Sequence, residues 1–374
     1  MKILIAGDFC PQKRVEELLD KEDYSSVLGE ISEISRDYDY SIVNLECPII
    51  DTDCEPIVKQ GPNLSCGPKA VDAIRYAGFK CVTLANNHFR DYGDRGCILT
   101  MERLKELDVS FVGAGRNLEE SQRILFNTIN GKTLAIINVC EHEYSIATSK
   151  SAGSAPLDLI DLYNRVNEAK RQADVLIAII HGGREYMQYP SPRLQKTYRW
   201  LIDIGVDVVI NHHQHCYSGY ELYNDKPIFY GLGNFCFDES KQMHKTWYEG
   251  YMVSLKIKNN ICFEIIPYFQ CKESSRIELM QNEEKDAFFS TISVINNVIR
   301  NPQLLNEKFE KYSETNFKSI RMTLTPYSTR LGLGLFRRGL LPSFITKKKL
   351  LQLQNMIECE ARRDELELFF KKEI

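Results

Sequence analysis

The sequence has little of what marks a membrane-spanning, disulfide-linked or nucleic-acid-binding protein. None of its apolar runs reaches the about 18 residues needed to cross a bilayer, and the run before Asp8 is too short for the core of a secretory signal peptide. The 12 cysteines include no CxxC pair and several lie in apolar runs, so we expect reduced core residues. The formal net charge of −4 gives no bulk attraction to nucleic acid. We therefore expect a cytoplasmic protein that does not bind nucleic acid.

Short apolar runs alternate with amphipathic segments from the N-terminus to about residue 240. The runs are rich in β-branched residues and nearly continuous in apolarity, which is typical of strands covered on both faces. They are residues 2–6, 40–44, 79–85, 109–114, 133–139, 174–180 and 206–210. The amphipathic segments, which we predict to be helices, are residues 68–78, 94–107, 159–173 and 191–205. This alternation predicts an α/β architecture.

The pattern changes in the last third of the chain. From residue 219 the apolar runs are shorter and stand at hairpin spacing, so we expect the sheet to finish with antiparallel strands near residue 270. Residues 281–315 and 343–373 have helix-like apolar spacing. We therefore predict one domain at residues 1–272 and a mainly helical extension at residues 273–374.

Polar and ionisable side chains follow five of the predicted strands directly after each strand ends. In an open α/β sheet the ligand crevice lies outside the carboxyl ends of the strands. The residues there that can bind a metal or transfer a proton are Asp8, Asn44, Glu46, Asn86, Asn87, His88, His181, His212, His213 and His215. Carboxylates, imidazoles and amide oxygens together suit Mn²⁺, Fe²⁺ or Zn²⁺. The sequence therefore predicts one metal-centred hydrolytic site.

Six motifs occur in a characteristic order along the first two thirds of the chain. They are GDF (7–9), VNLECPI (43–49), LANNHFRDYGDRG (84–96), HGGREY (181–186), HHQH (212–215) and YGLGNFCFD (230–238). In this order they resemble the capsule biosynthesis protein CapA family, whose members are associated with poly-γ-glutamate or other capsule synthesis. The family's domain belongs to the metallophosphatase (calcineurin-like phosphoesterase) superfamily. The resemblance runs from about residue 2 to 240 and implies a four-layer αββα sandwich of metallophosphatase type, here with a C-terminal helical extension.

The resemblance also implies roles for polar residues in the matching motifs. The positions that match metal ligands, for one or two divalent ions, are Asp8, Glu46, Asn87, His181, His213 and His215. His88 matches a general acid near the leaving group. The residues expected around the metals or in the substrate pocket are Asn44, Asn86, Glu185, His212 and Asn234.

Two positions depart from the superfamily's pattern. Its first motif is usually Asp-x-His, but here Cys10 stands where that His would be. We favour a buried structural thiol for Cys10, with a thiolate ligand as the alternative. Glu46 stands where an Asp usually bridges the two metals, and its extra methylene can shift or uncouple a bridged pair. A one-metal and a two-metal site therefore both stay open.

The resemblance and the predicted site together favour a metal-dependent hydrolase or transferase of capsule, poly-γ-glutamate or exopolysaccharide synthesis. A water activated at the metals would attack, and His88 would protonate the leaving group. The substrate would be a capsule or polyglutamate-type polymer or a phosphoester. Two alternatives remain: a non-catalytic, polymer-binding accessory protein of capsule assembly, and a general cytoplasmic metallophosphoesterase.

One stretch near the C-terminus carries charge of a single sign. Residues 315–357, the basic segment, contain no Asp or Glu, and apolar runs such as LGLGLF and GLLPSFI lie between the charges. Its eight basic residues are Lys318, Arg321, Arg330, Arg337, Arg338, Lys347, Lys348 and Lys349. A solvated basic face on a small helical cap is the simpler interpretation. The alternative is contact with an anionic surface, either an acidic polymer or a membrane leaflet bound peripherally.

Overall fold

The computed structural model describes residues 1–239 and 241–373, and its strands form two large sheets and one small one. In chain order the strands are β1 (Lys2–Cys10), β2 (Tyr40–Leu45), β3 (Cys81–Thr83), β4 (Ser110–Val112), β5 (Ala114–Gly115), β6 (Leu125–Ile129), β7 (Lys132–Cys140), β8 (Gly153–Ser154), β9 (Val175–His181), β10 (Val208–His212), β11 (Tyr220–Tyr223), β12 (Lys226–Phe229), β13 (Asn234–Phe237), β14 (Glu249–Ile257), β15 (Ile261–Gln270) and β16 (Ile277–Leu279).

Helices connect most of the parallel strands and make up the C-terminal part. They are α1 (Arg14–Asp20), α2 (Tyr24–Ser35), α3 (Lys69–Tyr76), α4 (Gly93–Glu106), α5 (Leu118–Ser121), α6 (Leu159–Gln172), α7 (Pro192–Ile204), α8 (Asn282–Arg300), α9 (Pro302–Thr323), α10 (Arg330–Arg337), α11 (Lys347–Glu358) and α12 (Glu360–Glu373), with a short 3-10 helix at Lys245–Trp247. No helix of the described residues is long and apolar enough to cross a membrane.

The two large sheets are mixed, with parallel strands at their centres. The first runs in the order β16-β15-β14-β1-β2-β3-β4, and β13 pairs with the end of β1. The second runs in the order β11-β12-β10-β9-β7-β6. The strands β1 to β4, and likewise β7, β9, β10 and β12, are parallel neighbours, so their carboxyl ends lie at one edge of each sheet.

Alternation along the buried strands separates the two faces of each sheet. In β1, Ile3 and Ile5 lie in a core shared with the second sheet, whereas Leu4 and Ala6 lie in a core shared with α1, α2 and α3. The helices α6 and α7 pack on β7, β9, β10 and β12 of the second sheet. The four-layer αββα sandwich predicted from the sequence is therefore confirmed.

Local sequence signals explain where the outer helices begin and end. Helix α7 starts at Pro192 after Ser191, whose side chain accepts a hydrogen bond from the backbone N–H of Leu194 at 3.1 Å. It ends at Gly205, which has φ of 120°, a conformation that side chains other than glycine rarely adopt. All seven strands predicted before residue 211 are present, as are the four predicted helices in that region.

A close backbone approach shapes the edge of the first sheet. A Cβ on Gly7 would lie 2.0 Å from the carbonyl oxygen of Gly233, so only glycine permits this contact. The register of β1 shifts between Ile5 and Asp8 against β2 and between Asp8 and Phe9 against β13, and Asp8 is the neighbour of both Asn44 and Asn234. This irregularity turns the end of β1 toward the residues that follow β2 and precede β13.

The chain forms two compact units, and the division between them lies after the boundary predicted between residues 272 and 273. One unit comprises Met1–Phe309 and the other Glu310–Ile374. The difference arises because α8 packs on the sandwich and buries Phe288, Ile292 and Ile295 in its core. Where the family domain itself ends stays a prediction.

The second unit contains α10, α11 and α12 and has little interior of its own. None of its described side chains is buried. Tyr327 makes the main contacts in the middle of this unit. The Tyr327 ring lies 5.7 Å from that of Phe336 and 6.1 Å from that of Phe344, and the Tyr327 hydroxyl donates to the carbonyl of Pro342 at 2.9 Å. Apolar and basic side chains of this unit therefore remain at its surface.

Candidate metal centre

The predicted ligands meet at the carboxyl ends of β1, β2, β9 and β10 and in the loop after β3. Each of them is at most 7% exposed: Asp8, Glu46, Asn87, His181, His213 and His215. Their oxygen and nitrogen atoms form two overlapping groups, and within each group the ligand atoms lie within 4.8 Å of one another. The structure thus brings together residues that lie up to 207 positions apart in the sequence, Asp8 and His215 being the extremes.

The first group contains Glu46, His181 and His213, and Asn87 adjoins it. The Nε2 atom of His181 is 2.9 Å from Oδ1 of Asn87, 3.1 Å from Nδ1 of His213 and 3.4 Å from Oε1 of Glu46. One imidazole nitrogen can donate at most one hydrogen, so it cannot satisfy these three neighbours at once. Lone pairs that converge in this way are typical of a cation site.

The second group contains Asp8, Glu46 and His215. Nε2 of His215 is 3.7 Å from Oε1 of Glu46, which also belongs to the first group. A carboxylate common to two groups is suited to bridge two ions, which in such sites lie about 3.5–4 Å apart. The arrangement therefore offers ligands for either one or two metals, as the sequence allowed.

The clearest sign that these residues fit a cation is Glu46 itself. Its side chain is 0% exposed, and neither carboxylate oxygen has a hydrogen-bond partner among the described residues. Burying an ionised carboxylate without donors is strongly unfavourable, so such a group is normally paired or bound to a metal. Carboxylate and imidazole ligands of this kind suit Mn²⁺, Fe²⁺ or Zn²⁺. The site is therefore a candidate divalent-metal centre, and the identity of the ion stays open.

Burial and neighbouring charges shift the pKa values of the candidate ligands; the carboxylates of Glu46 and Asp8 raise the pKa of His215 although burial opposes this. Burial lowers the pKa of His181 and His213 well below the usual value, with neighbouring histidines adding to the effect, so both are neutral and able to bind a metal. Burial also raises the pKa of Asp8 to about 6, and the negative charge of Glu46 contributes. The pKa of Glu46 is raised, again mainly by burial. A bound cation would favour the ionised forms of both carboxylates.

The last two ligands are held by unusual backbone. His213 has φ of 93° and His215 has φ of 52°, both in the left-handed region that residues other than glycine seldom enter. Oδ2 of Asp8 accepts a hydrogen bond from the N–H of His213 at 3.2 Å, and Nδ1 of His215 lies 2.9 Å from Oδ1 of Asn234. These contacts fix the strained segment and orient its imidazoles, as partners of metal-binding histidines commonly do.

His88 lies in the same pocket but has different partners. Its Nδ1 is 2.6 Å from Oδ2 of Asp91, and the buried ammonium of Lys59 contacts both Asp91 and, at 3.2 Å, the same Nδ1. Asp91 also accepts from the N–H of Leu64 at 2.7 Å. The carboxylate thus orients the imidazole and directs the remaining nitrogen, Nε2, to proton transfer. This is the arrangement that a general acid needs.

The other predicted residues surround the ligands and fix their positions. Asn44 donates to Oδ1 of Asp8 at 2.7 Å. Asn86 donates to the carbonyl of Leu45 at 2.8 Å, which ties together the loops after β2 and β3. Nδ1 of His212 is 3.4 Å from Oδ1 of Asp8, and burial lowers the pKa of His212 to about 4. Asn234 holds His215, as described above.

Glu185 lies near the candidate ligands, whereas Cys10 lies outside both ligand groups. The half-buried Glu185 contributes through its charge to the raised pKa of Glu46, which places it near the ligands. The thiol of Cys10 belongs to neither ligand group and lies in the helix-side core beside Cys47. Burial raises the pKa of Cys10 to about 11, so it is a neutral thiol. The favoured interpretation of Cys10, a structural thiol, agrees with this position.

Two parts of the site were not predicted from the sequence. Lys59 gave no local signal, because it lies in a long loop 29 residues before His88. The second part is an aromatic wall beside His215: Trp247 lies 5.3 Å from the imidazole ring, and the half-exposed Tyr186 lies 6.3 Å from Trp247 in a stacked arrangement. Tyr186 has a positive φ of 61°, so the backbone holds it in this position against its usual preference.

An αββα sandwich with a buried carboxylate and imidazole centre at the strand ends is a domain of metallophosphatase type. The sequence identifies its branch. The chain belongs to the bacterial capsule synthesis protein PGA_cap family, whose model matches residues 2–239. The predicted resemblance to the CapA family is thereby confirmed.

Named relatives cover part of the chain. Capsule biosynthesis protein CapA of Bacillus anthracis is 31% identical over 247 residues, which are 64% of this chain and 60% of that protein. PGA biosynthesis protein CapA of Bacillus subtilis is 29% identical over 236 residues, 62% of each. A probable polyglutamine synthesis accessory protein of Mycobacterium tuberculosis is 28% identical over 209 residues, 52% of this chain and 55% of that protein. This chain therefore spans less than two thirds of each relative.

Solved structures show a more distant likeness. A hypothetical protein from Thermus thermophilus has a TM-score of 0.46 and 13% identity, covering 75% of this chain and 100% of that chain. A structure described as a novel phosphatase from Mycoplasma pneumoniae has a TM-score of 0.43 and 16% identity, covering 71% and 92%. At these TM-scores the likeness supports no inference about function.

Proposed function

We propose that this chain is a metal-dependent hydrolase or transferase that acts in capsule or poly-γ-glutamate synthesis. The observation that carries the enzymatic part is the buried, donorless carboxylate of Glu46, shared by two groups of metal-binding side chains beside the His88–Asp91 pair. The biological part is supported by membership of the PGA_cap family and by the names of the two Bacillus relatives.

The side chains divide the work of the proposed reaction. Asp8, Glu46, His181, His213 and His215 would hold the metal, together with the amide oxygen of Asn87. A bound divalent ion would polarise the scissile group and make a water molecule acidic enough to attack near neutral pH.

His88 completes the reaction in this proposal. In the protonated imidazole Nδ1 would donate to Asp91, whose charge stabilises the imidazolium, and Nε2 would give its proton to the leaving oxygen or nitrogen. Because an imidazole can protonate either atom, the site suits a phosphoester and an amide of polyglutamate equally. The bond that is cleaved is thus a matter for direct assay.

A non-catalytic accessory role is the second candidate. It is favoured by Cys10, a neutral thiol in the helix-side core where the superfamily's pattern has a metal-binding His. The Mycobacterium tuberculosis relative is also named as an accessory protein. In this role the same pocket would bind the polymer or an assembly partner without turnover. A general phosphoesterase unconnected with capsules is the third candidate.

One set of measurements separates the three candidates. The full chain and the variants His88→Ala, His181→Ala and His142→Ala are analysed for bound metal and assayed on phosphoesters and on poly-γ-glutamate. His142 is exposed and outside the site, so it serves as the matched control. We expect His181→Ala to lose metal and activity, His88→Ala to keep metal and lose activity, and His142→Ala to keep both.

Other outcomes support one of the other two candidates or contradict the proposed site. Stoichiometric metal without turnover of any substrate supports the accessory role. Turnover of phosphoesters alone, with no effect on polyglutamate, supports a general phosphoesterase. Turnover that survives both His88→Ala and His181→Ala contradicts the proposed site.

A further inference from the structure

The basic segment (residues 315–357) has no acidic partners. None of its eight Lys and Arg side chains pairs with a carboxylate within the part of the chain that the structure describes. Elsewhere in the chain basic side chains form ion pairs with carboxylates: Arg95 pairs with Asp51, and Arg103 pairs with Asp72. Uncompensated positive charge concentrated in one stretch favours an anionic partner.

Large apolar side chains lie exposed between these charges. Leu331 is 75% exposed, Leu340 is 66% exposed and Phe344 is 60% exposed. Leu351 and Ile357 follow at 55% and 60%. Single exposed apolar residues are ordinary, but a cluster within one short stretch is typical of a surface that binds something apolar.

The start of α11 adds an independent observation. Its first turn consists of Lys347, Lys348 and Lys349, and no acidic residue is present there. The N-terminus of a helix carries a partial positive charge, so three ammonium groups at this place oppose the helix dipole. An anion near the first turn would relieve this repulsion and accept hydrogen bonds from free backbone N–H groups.

We propose that residues 330–351 dock on an anionic lipid surface. Arg330 and Arg337 lie seven residues apart on one side of α10, and Lys347–Lys349 follow after the loop that carries Leu340 and Phe344. The cations meet lipid phosphates while the leucines and the phenylalanine enter the acyl boundary. The inference does not depend on the chemistry of the metal centre.

An acidic polymer such as polyglutamate explains only half of these features. It would neutralise the lysines and arginines, but it offers no apolar region to cover Leu331, Leu340 and Phe344. A lipid leaflet supplies both anionic headgroups and an apolar interior. The combination of charge and exposed apolar side chains therefore favours lipid.

The test is flotation of the full chain with vesicles of phosphatidylcholine alone or with added phosphatidylglycerol. We expect flotation only with the anionic vesicles and a decrease with added salt, because salt screens the attraction. The variant Arg337→Gln/Arg338→Gln/Lys348→Gln should bind at least about tenfold more weakly, since each basic residue near the surface contributes to affinity.

The apolar contribution is tested with a matched pair of variants. Leu331→Ser/Leu340→Ser/Phe344→Ser should also bind at least about tenfold more weakly. Its control replaces residues of similar exposure outside the second unit and should bind as the unchanged chain does. The control residues are Ile160 (77% exposed), Leu222 (60%) and Val294 (61%), each changed to Ser. Circular dichroism of both variants checks that the second unit keeps its helices, because Phe344 also packs against Tyr327.

Three results would overturn the inference. The first is no flotation of the unchanged chain with anionic vesicles. The second is equal flotation of the apolar variant and its control. The third is that soluble polyglutamate competes fully with the vesicles while the apolar substitutions have no effect, which assigns the segment to an acidic polymer.

Discussion

Glu46 and Glu221 are both buried carboxylates, but their surroundings differ. Glu221 accepts hydrogen bonds of 2.6–2.8 Å from Arg199 and Tyr230, whereas neither oxygen of Glu46 has a donor among the described residues. An ionised carboxylate without donors opposes folding, and burial accordingly raises the pKa of Glu46. The fold therefore contains a charge that a cation or a proton must neutralise.

The contrast between Glu46 and Glu221 predicts that a change from Glu to Gln alters the free energy of unfolding in opposite directions at the two positions. Glu46→Gln removes a buried charge that accepts no hydrogen bond among the described residues, so the metal-free chain at neutral pH should become more stable, by roughly 1–3 kcal/mol. Metal binding should be lost at the same time. Chemical denaturation after treatment with a chelator, together with metal analysis, measures both effects.

Glu221→Gln is the matched control, because it weakens a satisfied ion pair with Arg199. It should destabilise the chain and leave the metal content unchanged. If Glu46→Gln instead destabilises the metal-free chain as Glu221→Gln does, the oxygens of Glu46 have partners in solution and the argument for a cation fails.

A second prediction concerns the partner of His88. Asp91→Asn removes the charge that orients Nδ1, so kcat should fall about 100-fold or more while metal content stays the same. Asp94→Asn is the control, since Asp94 is partly exposed and pairs with Arg90 outside the site. Steady-state kinetics and metal analysis of the two variants test this. A loss of metal in Asp91→Asn would assign Asp91 to the metal and not to His88.

The pKa of Asp8 predicts how metal binding depends on pH. In the metal-free chain it is raised from 3.8 to about 6, so below about pH 6 the metal must displace a proton from Asp8. Metal affinity should therefore fall as the pH falls through about 6. The rise in melting temperature on adding metal should be smaller at pH 5 than at pH 8. An equal rise at both pH values would contradict the assignment of Asp8 as a ligand.

Asp8 and His212 contribute with opposite signs to the stability of the metal-free chain over the same pH range. A raised pKa of Asp8 makes stability decrease as the pH rises from about 4 to about 6. The pKa of His212, lowered from 6.5 to about 4, makes stability increase between those values. These two contributions therefore oppose each other.

At the scale of elements, the parallel strands and their carboxyl ends could be predicted from the sequence. Continuous β-branched runs and capped helices predicted β1, β2, β9 and β10, and the polar residues after these strands are the candidate metal ligands. Strand β13 was not predicted, because its pairing with β1 depends on the register shift after Asp8 and on the close approach of Gly7 to Gly233. Long-range contacts of this kind leave no local pattern.

Helices α1 and α2 were also missed. Only Val15 and Leu19 of α1 are buried, so its apolar pattern is weak over seven residues. Lys59 was missed for a related reason: the loop after β2 contains no periodicity that predicts where it folds. Its position against Asp91 follows from tertiary structure alone.

Helix α8 follows the domain boundary predicted from the sequence but packs on the sandwich core. Substitutions in α8 test this packing. Phe288 is 4% exposed and its ring lies 4.6 Å from that of Tyr217. Phe288→Ala should lower the free energy of unfolding by about 3–5 kcal/mol, the usual effect of removing a buried ring. Phe289→Ala, its more exposed neighbour, should have a smaller effect, because Phe289 is 36% exposed. Equal effects in urea denaturation would show that α8 is not part of the sandwich core.

For the whole molecule, the two units predict the outcome of truncation. All candidate metal ligands, His88 and the core residues of α8 lie within Met1–Phe309. A chain that ends at Phe309 should therefore keep its metal content and its melting temperature, within a few degrees, and lose vesicle binding. A chain that ends at Lys272, at the boundary predicted from the sequence, should aggregate because Ile292 and Ile295 no longer cover the sandwich. Solubility, thermal unfolding and flotation of both chains are the measurements.

The position of β1 also has a consequence for synthesis of the protein on the ribosome. Among the described strands β1 is made before the others, yet one of its sheet neighbours is β14, which begins 239 residues after Cys10. At about 5–20 residues per second, β1 waits roughly 10–50 s for that partner. During this interval one edge of β1 lacks its partner, which is the condition under which strands pair with other chains. Chaperone demand during translation should therefore peak before β14 emerges.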